Sequence, residues 1–322
     1  PKSVAVIACA FGLLISLLPT EPRAKAAARV RNGRIAISVL RPPFTSIPAP
    51  PPGELPVLGD RDLFTLSPTG GAFTQITSGP DIDVTPVWSP DGRKLAFVRD
   101  DPTYGKVSSG DIYTLEADGT GERNLTNTPL AFEKFPSWSP DASKIVFVSD
   151  RGFPNLTARL LYLRGGETDL YVMDADGGNV VRLTSDPGYE EYPVWSPNGR
   201  WLAFGDLGTI ILMTADGSAP RPLAQGLFPQ WSPDGRRIAF ISDDDVHVID
   251  VFGGDERNVT SDHPGSVRFA TWSPDGRWLT FISDRRGPWR LYKMRPNGSQ
   301  VRELIDIDLH TPNTSISWGR RP

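Results

Sequence analysis

The stretch WSPDGRRIAFISD, residues 231–243, occurs in five closely related copies along this chain. The other copies are WSPDGRKLAFVRD from Trp88, WSPDASKIVFVSD from Trp138, WSPNGRWLAFGDL from Trp195 and WSPDGRWLTFISD from Trp272. Such a repeat is either chemical, with several copies of one site, or architectural, with several copies of one folding unit. The residues between the copies decide between the two.

The spacing of the repeat favours an architectural meaning. The repeated tryptophans are Trp88, Trp138, Trp195, Trp231, Trp272 and Trp318, at intervals of 36 to 57 residues. Each unit continues with a tight Ser-Pro-Asp-Gly turn and then β-like runs, such as DIYTLEADG from Asp111 and RNLT from Arg123. A period near 40 residues with several short strands is typical of a β-propeller rather than a helical solenoid. We therefore predict an all-β fold with four short strands per blade.

The two ends of the repeat region complement each other. Residues 32–77 contain NGRIAIS, DLFTLSPTGG and FTQIT, which match the second, third and fourth strands of a blade without a first strand. The segment ISWGRRP, residues 316–322, is a first strand without a blade after it. A ring closes without unpaired edges when the last strand completes the first blade. The sequence thus predicts six blades, one of them built from both ends of the chain.

The WSPDG turn, the IAF-type strand and the ADG hairpin together resemble the TolB-type β-propeller repeat, a WD40-like repeat that also occurs in propellers related to prolyl-oligopeptidase and dipeptidyl peptidases. The resemblance covers nearly all of residues 27–322 and implies a six-bladed propeller. It leaves function open, because binding proteins, enzyme gates and lyases share this repeat. TolB has an N-terminal α/β domain before its propeller, whereas we expect the first blade here to start almost directly after the signal peptide, without that domain.

The N-terminal residues predict export. Lys2, an apolar run from Val4 to Leu18 and small residues around Ala26 have the layout of a signal peptide, residues 1–26, which leaves the propeller at 27–322. An uncleaved anchor is the alternative, although the apolar run is short for a membrane span. We expect a periplasmic or extracellular monomer with no membrane span in the mature chain. The only cysteine, Cys9, lies within the apolar run, so no disulfide is expected.

Composition and motifs exclude several functions. The formal net charge of −4 argues against a nucleic-acid partner, because phosphates require a basic face. The chain has no G-x-S-x-G motif, and hence no nucleophile elbow of a peptidase domain. His247 is interpreted as a packing residue, while His263 and His310 lie in loops. We expect no cofactor; calcium at Asp243–Asp245 or Asp100–Asp101 is the weaker alternative.

Two functional hypotheses remain. Long loops at 41–61, 99–110 and 149–168 break the repeat pattern on one face, and the third contains the apolar run Leu160, Leu161, Tyr162 and Leu163. The first hypothesis is a non-catalytic module that binds a protein or cell-envelope component through this loop-rich face. The second is a channel-mouth enzyme of lyase or lactonase type with a metal near the axis. Its candidate residues precede the first strands: Asp81, Asp83, Glu133, Glu190, Glu191 and Arg268.

Overall fold

The structure, a computed structural model, describes residues 32–40, 61–71, 73–100, 110–128, 131–152, 168–252, 254–262, 265–305 and 315–321. Within these ranges the regular elements are β-strands, 24 in number, and no helix is present. This confirms the all-β prediction. The predicted signal peptide and the run Leu160–Leu163 lie outside the described residues.

Eight strands form one sheet in two halves. They are β1 (Asn32–Leu40), β2 (Arg61–Leu66), β3 (Thr74–Gln75), β4 (Ile82–Trp88), β5 (Lys94–Asp100), β6 (Gly110–Glu116), β7 (Arg123–Asn124) and β24 (Ile316–Arg320). Their order is β24-β1-β2-β4-β5-β6-β7, with β3 paired to β2. Only the parallel bridge between Arg61 and Ile82 joins β2 to β4 within the described residues. We therefore treat β24-β1-β2-β3 as sheet 1 and β4 to β7 as sheet 2.

The other sheets each contain four antiparallel strands in chain order, as the repeat predicted. Sheet 3 consists of β8 (Glu133–Trp138), β9 (Lys144–Ser149), β10 (Asp169–Asp174) and β11 (Val181–Arg182). Sheet 4 consists of β12 (Glu190–Trp195), β13 (Trp201–Asp206), β14 (Thr209–Thr214) and β15 (Arg221–Gln225). Sheet 5 consists of β16 (Leu227–Trp231), β17 (Arg237–Ser242), β18 (Asp245–Asp250) and β19 (Glu256–Asn258). Sheet 6 consists of β20 (Val267–Trp272), β21 (Leu279–Ser283), β22 (Arg290–Met294) and β23 (Arg302–Ile305).

The repeated Ser-Pro-Asp-Gly segment forms the turn between the first and second strands of a sheet. In sheet 2, the hydroxyl of Ser89 donates to Oδ1 of Asp91 (2.6 Å) and accepts from the backbone N–H of Lys94 (2.9 Å). Gly92 follows with φ of 73°, a left-handed conformation that glycine adopts without strain. Equivalent hydroxyl bonds recur at Ser139, Ser196, Ser232 and Ser273. The motif therefore acts as a hairpin turn in each of these sheets.

The repeated tryptophans pack between neighbouring sheets. Trp138 of sheet 3 donates its indole N–H to the carbonyl of Val87 in sheet 2 (3.3 Å), and Trp272 of sheet 6 donates to Gln230 in sheet 5 (3.1 Å). Trp88, Trp138, Trp231, Trp272 and Trp318 are all buried, and Trp195 is half-buried. Burial of each of these large rings contributes about 3 kcal/mol to the stability of the fold.

The hydrophobic core is divided into clusters that each join two consecutive sheets. One cluster packs Ala96 of sheet 2 against Phe147 of sheet 3. Another packs Ile35 and Ile37 of sheet 1 against Leu291 of sheet 6. The apolar residues of the second and third strands are thus buried by contact between sheet faces rather than in one central core.

The antiparallel register gives the sheets two distinct ends. The first strand begins where the second strand ends, because Ile82 pairs with Asp100 and Glu133 pairs with Ser149. We call this end the loop face, since the predicted long loops begin and end there. The Ser-Pro-Asp-Gly turns lie at the opposite end, the turn face.

Candidate functional site: the axial aromatic cluster and the loop-face mouth

The first strands of five sheets share an irregularity. Each pairs with its second strand through a register shift of the kind that marks a β-bulge. The bulge includes a residue at positive φ three positions before the repeated tryptophan. These residues are Thr85, Phe135, Tyr192, Phe228 and Phe269, with φ between 50° and 58°. A bulky side chain rarely adopts this conformation, and such strain concentrates at positions that re-aim a side chain.

Four of the residues at positive φ are aromatic, and they contact one another. The ring centroids of Phe135 and Tyr192 lie 3.8 Å apart, those of Tyr192 and Phe228 4.3 Å, and those of Phe228 and Phe269 4.5 Å. Because these residues come from sheets 3, 4, 5 and 6, the first strands of these sheets converge on one cluster. We call it the axial aromatic cluster.

A cavity of about 220 Å³ lies next to this cluster. Its lining includes the residue immediately before each repeated tryptophan: Val87, Ser137, Val194, Gln230, Thr271 and Ser317. Thr85, Phe135, Tyr192 and Phe269 of the bulges also line it. Since every sheet contributes a residue, the cavity lies where the six first strands meet. The lining of the cavity is mixed in polarity, because it includes hydroxyl and amide groups as well as aromatic rings.

A half-buried cluster of charged side chains, centred on Lys134, lies at the loop face, where the first strands begin. Burial lowers the pKa of Lys134, and the carboxylates of Asp100, Glu191 and Asp150 oppose that shift. Burial also raises the pKa of Asp100 and of Glu191. The ammonium group lies 3.7 Å from the ring centroid of Phe132. Lys134 therefore interacts electrostatically with carboxylates that come from sheets 2, 3 and 4.

Asp81 and Asp83 come together at Arg99 rather than facing an open channel. Arg99 holds Asp83 with two hydrogen bonds, from Nε to Oδ1 (2.7 Å) and from Nη2 to Oδ2 (3.0 Å). The same guanidinium lies 3.6 Å from Asp81 and donates to Glu122 (2.7 Å). One arginine is thus shared by three carboxylates.

Glu133 and Glu190 are buried at equivalent positions, five residues before the repeated tryptophan. Glu133 accepts hydrogen bonds from Thr128 (2.6 Å) and from Nη2 of Arg151 (2.8 Å). Glu190 accepts one from Thr184 (2.9 Å), and burial raises its pKa to about 8. Both carboxyl groups connect strands of the sheets in which they lie.

Arg268 lies apart from these acidic residues. Its Nη1 atom forms a salt bridge with Asp244 of the β17–β18 turn, and its guanidinium lies 5.9 Å from the ring centroid of Trp289. The structure thus brings Glu191 and Lys134 together, holds Asp81 and Asp83 at Arg99, and places Arg268 with Asp244.

The described residues contain no group of three or more His, Cys, Asp or Glu side chains placed to hold a metal. At the alternative calcium position, Asp245 accepts hydrogen bonds from Asn258 (2.8 Å) and Thr260 (2.6 Å). Nδ1 of His247 is bonded to Glu256 (2.7 Å). His263 and His310 lie outside the described residues. The part of the chain that the structure describes contains no helix able to cross a membrane.

Sequence reasoning missed the axial aromatic cluster, although a signal for it was present. The residue three before the tryptophan is aromatic in four repeats, and Pro follows it in three of those four, as in FPSW, YPVW and FPQW. Regular strand alternation does not predict that this position faces the axis. The bulge changes the alternation, and a bulge is not apparent from period-two patterning.

Comparison with known families supports the fold. Residues 215–270 match the family described as the N-terminal region of dipeptidyl peptidase IV (DPP IV). An alignment over 175 positions, which covers 48% of the chain, shows 27% identity to the uncharacterized peptidase YuxL of Bacillus subtilis and covers 25% of that protein. A segment of 148 residues, 45% of the chain, is 31% identical to a TolB homolog of Chlorobium chlorochromatii and covers 28% of it. The matches therefore span less than a third of each relative.

A solved structure resembles nearly the whole chain. The crystal structure of TolB from Acinetobacter baumannii superposes with a TM-score of 0.69 at 20% identity, over 89% of this chain and 66% of that one. The chain thus has the fold of a TolB-like β-propeller.

Proposed function

We propose that this chain is a six-bladed β-propeller that is exported and acts as a non-catalytic binding module for a protein or cell-envelope component. Sheets 1 to 6 correspond to the blades. Strand β24 completes the first of them by pairing with β1, where Ile35 lies opposite Trp318. The pattern of residues 1–26 supports export to the periplasm or beyond.

The contacts between sheets support closure of the ring. Each core cluster joins one sheet to the next, and the cluster around Ile35 and Ile282 joins sheet 6 back to sheet 1. Trp88 of sheet 2 also contacts β24, whose Ser317 hydroxyl accepts a hydrogen bond from the Trp88 backbone N–H (3.2 Å). Both sides of sheet 1 are therefore covered by a neighbour.

The observation that carries the binding proposal is that the carboxylates near the start of the first strands already have partners within the fold. Asp83 and Glu133 are each held by an arginine, and Glu190 by Thr184. A carboxylate that is already paired is a poor ligand for a metal and a poor general base for a substrate, since breaking a buried pair is costly. Asp83 and Glu133, two of the acidic groups that favoured an enzyme, are thus already engaged by arginines of the fold.

The loop face near sheets 1 to 3 is the binding surface in this proposal. The strand ends that border the first and third long loops are firmly anchored, because Arg61, Asp150 and Thr168 are all buried. A loop that leaves a rigid frame presents its side chains with little loss of entropy from the rest of the fold. We expect Leu160, Leu161, Tyr162 and Leu163 to be the apolar anchors for the partner.

Capture from an envelope fraction tests this face. The change of Leu160, Leu161, Tyr162 and Leu163 to serine keeps the length of the loop, and it should abolish capture of the partner by the full chain. The matched control is Phe252→Ser, since Phe252 is 72% exposed and lies beyond the third strand of sheet 5, at the turn face. Loss of capture in the Phe252 variant with retention in the loop variant would overturn the proposed face.

The alternative, a channel-mouth enzyme of lyase or lactonase type, is favoured by one observation. Asp100, Lys134 and Glu191 form a cluster whose pKa values are shifted by burial, and such clusters concentrate at active sites. Metal analysis of the purified full chain decides between the two. A stoichiometric metal that is lost on Glu191→Gln, together with retained partner capture by the serine loop variant, would place the enzyme first.

A further inference from the structure

In sheet 3, Arg151 packs on two aromatic rings and binds a serine hydroxyl and a carboxylate, and this arrangement can be compared with the equivalent one in sheet 6. The guanidinium of Arg151 lies over the rings of Phe147 (5.0 Å) and Tyr171 (5.2 Å), and its Nε donates to the hydroxyl of Ser149 (3.2 Å). Its Nη2 donates to the carboxylate of Glu133 (2.8 Å), which lies on the first strand opposite Ser149. The chain here shows which ligand this setting binds: a carboxylate.

Sheet 6 repeats the same arrangement around Arg285. The guanidinium lies over the rings of Phe281 (4.7 Å) and Tyr292 (5.2 Å), and its Nε donates to the hydroxyl of Ser283 (3.2 Å). The residue on the first strand opposite Ser283 is Val267, which is fully buried. Sheet 6 thus has the equivalent arginine, but valine stands at the position where sheet 3 has the carboxylate that pairs with it.

No other described residue replaces that carboxylate. Nη1 of Arg285 and the hydroxyl of Tyr292 are both buried and have no hydrogen-bond partner among the described residues. Burial lowers the pKa of Arg285, and Tyr292 and Asp245 oppose that shift. The guanidinium is half-buried, and its buried Nη1 atom has lost contact with water without gaining an acceptor, which favours binding of an anion.

The third strand does not supply an acid either. In sheet 3, Asp169 lies opposite Ser149 and pairs with Arg182 at 2.7 Å. In sheet 6 the polarity is reversed, since Arg290 lies opposite Ser283 and pairs with Glu303 at 3.0 Å. The reversal places a second cation opposite Ser283, whose hydroxyl accepts from Arg285, and Glu303 is paired with that cation.

A groove of about 810 Å³ opens beside these groups, on the side of sheet 6 that faces sheet 5. Arg285 and Tyr292 line it together with two further cations, Arg286 and Arg302, and with two acids, Asp262 and Glu303. Glu303 is paired with Arg290. Its polar lining includes Asn258, Ser261, Asn297, Ser299 and Gln300. Side-chain amides and hydroxyls of this kind bind the backbone of an extended peptide. The charged lining thus consists of three arginines and two carboxylates, so the groove has a small excess of positive charge on a chain whose overall charge is negative.

We propose that this lateral groove binds an acidic peptide segment, with an Asp or Glu carboxylate of the ligand taking, at Arg285 and Tyr292, the role that Glu133 plays at Arg151. This site lies on sheet 6, apart from the long loops of sheets 1 to 3, and does not depend on the function proposed above. Its ligand is defined by a carboxylate next to a peptide backbone, because the equivalent arrangement in sheet 3 holds a carboxylate and the groove has the volume for several residues.

The test uses the purified full chain and two synthetic peptides, acetylated hexaglutamate amide and hexaglutamine amide. Calorimetry and thermal unfolding should show binding and a rise in Tm with hexaglutamate and not with hexaglutamine. Arg285→Gln should lower the affinity at least tenfold, which corresponds to about 1.4 kcal/mol. Arg286→Gln is the matched control, because it removes a charge from the same groove and keeps Arg285; the affinity of this variant should change by less than about threefold.

Two outcomes would overturn the proposal. Equal losses in the Arg285 and Arg286 variants would mean that the peptide is attracted by diffuse charge and not by a site. A rise in Tm with inorganic phosphate equal to that with hexaglutamate would mean that the groove does not select a carboxylate. Val267→Glu restores the carboxylate of sheet 3 within the chain, so a folded Val267→Glu protein should no longer bind the peptide; continued binding would also contradict the proposal.

Discussion

Gly319 of β24 lies against the indole ring of Trp88, so closely that a Cβ atom on residue 319 would stand 2.6 Å from Cγ of Trp88. The contact joins the C-terminal strand to the first repeated tryptophan. Because the ring lies where a side chain would extend, only glycine lets β24 and β4 approach to this distance.

Gly319→Ala should therefore destabilise the fold through overpacking rather than through loss of a contact. Such changes typically cost about 1–3 kcal/mol, measured as the free energy of unfolding in denaturant. Gly205→Ala is a control for the loss of glycine, since a Cβ there would make only ordinary contacts, 3.6 Å from Leu227 and 3.7 Å from the backbone oxygen of Glu191. A Gly319→Ala protein as stable as the wild type would mean that β24 is not packed against Trp88.

Trp231 and Asp234 separate the two contributions of the repeat. Trp231→Ala should lower the free energy of unfolding by about 3–5 kcal/mol, because the ring is buried between sheets 4 and 5. Asp234→Ala removes only the bonds from Ser232 (2.5 Å) and the Arg236 N–H (3.1 Å), and should cost about 1 kcal/mol. Equal and small effects in chemical denaturation would contradict the packing described here.

Tyr192 is the centre of the axial aromatic cluster, with contacts to Phe135, Phe228 and Phe269. Tyr192→Leu should lower the free energy of unfolding by about 1–3 kcal/mol, since each aromatic pair contributes about 0.5–1.5 kcal/mol beyond burial. It should also reduce the near-UV circular dichroism of the folded protein. An unchanged spectrum would mean that the rings do not form a fixed cluster in solution.

Glu190 predicts a specific dependence of stability on pH. Burial raises its pKa from 4.5 to about 8, and the Thr184 hydroxyl opposes the shift while Asp169 and Asp206 add to it. The folded protein therefore keeps a proton that the unfolded chain releases, so this contribution to stability is present below pH 4.5 and is lost as the pH rises through about 8.

Glu190→Gln removes that titration. From about pH 5 to about pH 8, the free energy of unfolding of Glu190→Gln should gain about 1–3 kcal/mol relative to the wild type. Denaturant unfolding at several pH values measures the difference. Parallel pH profiles for the two proteins would show that Glu190 ionises normally in the fold.

The sequence predicted the strands because the repeat states them directly: an apolar run after each Trp231-type turn, then a second run before each ADG-type hairpin. It did not predict which acidic residues interact with each other. Glu133 lies five residues before its tryptophan and is buried against Arg151, whereas Glu191 lies four residues before its tryptophan and interacts with Lys134 of the neighbouring sheet. The partner that each carboxylate meets depends on contacts within and between sheets, which a linear pattern does not contain.

The pairing of β1 with β24 has a consequence for how the chain reaches its native state. Sheets 2 to 6 are each made of consecutive strands, so their hairpins form from contacts that are local in sequence. Sheet 1 depends on a contact between residues at opposite ends of the repeat region, such as Ile35 and Trp318. Contacts of this range slow folding, because the loop they close is long. On a translating ribosome β1 therefore keeps an unpaired edge until β24 has been synthesised, and this interval is when the chain is most exposed to aggregation.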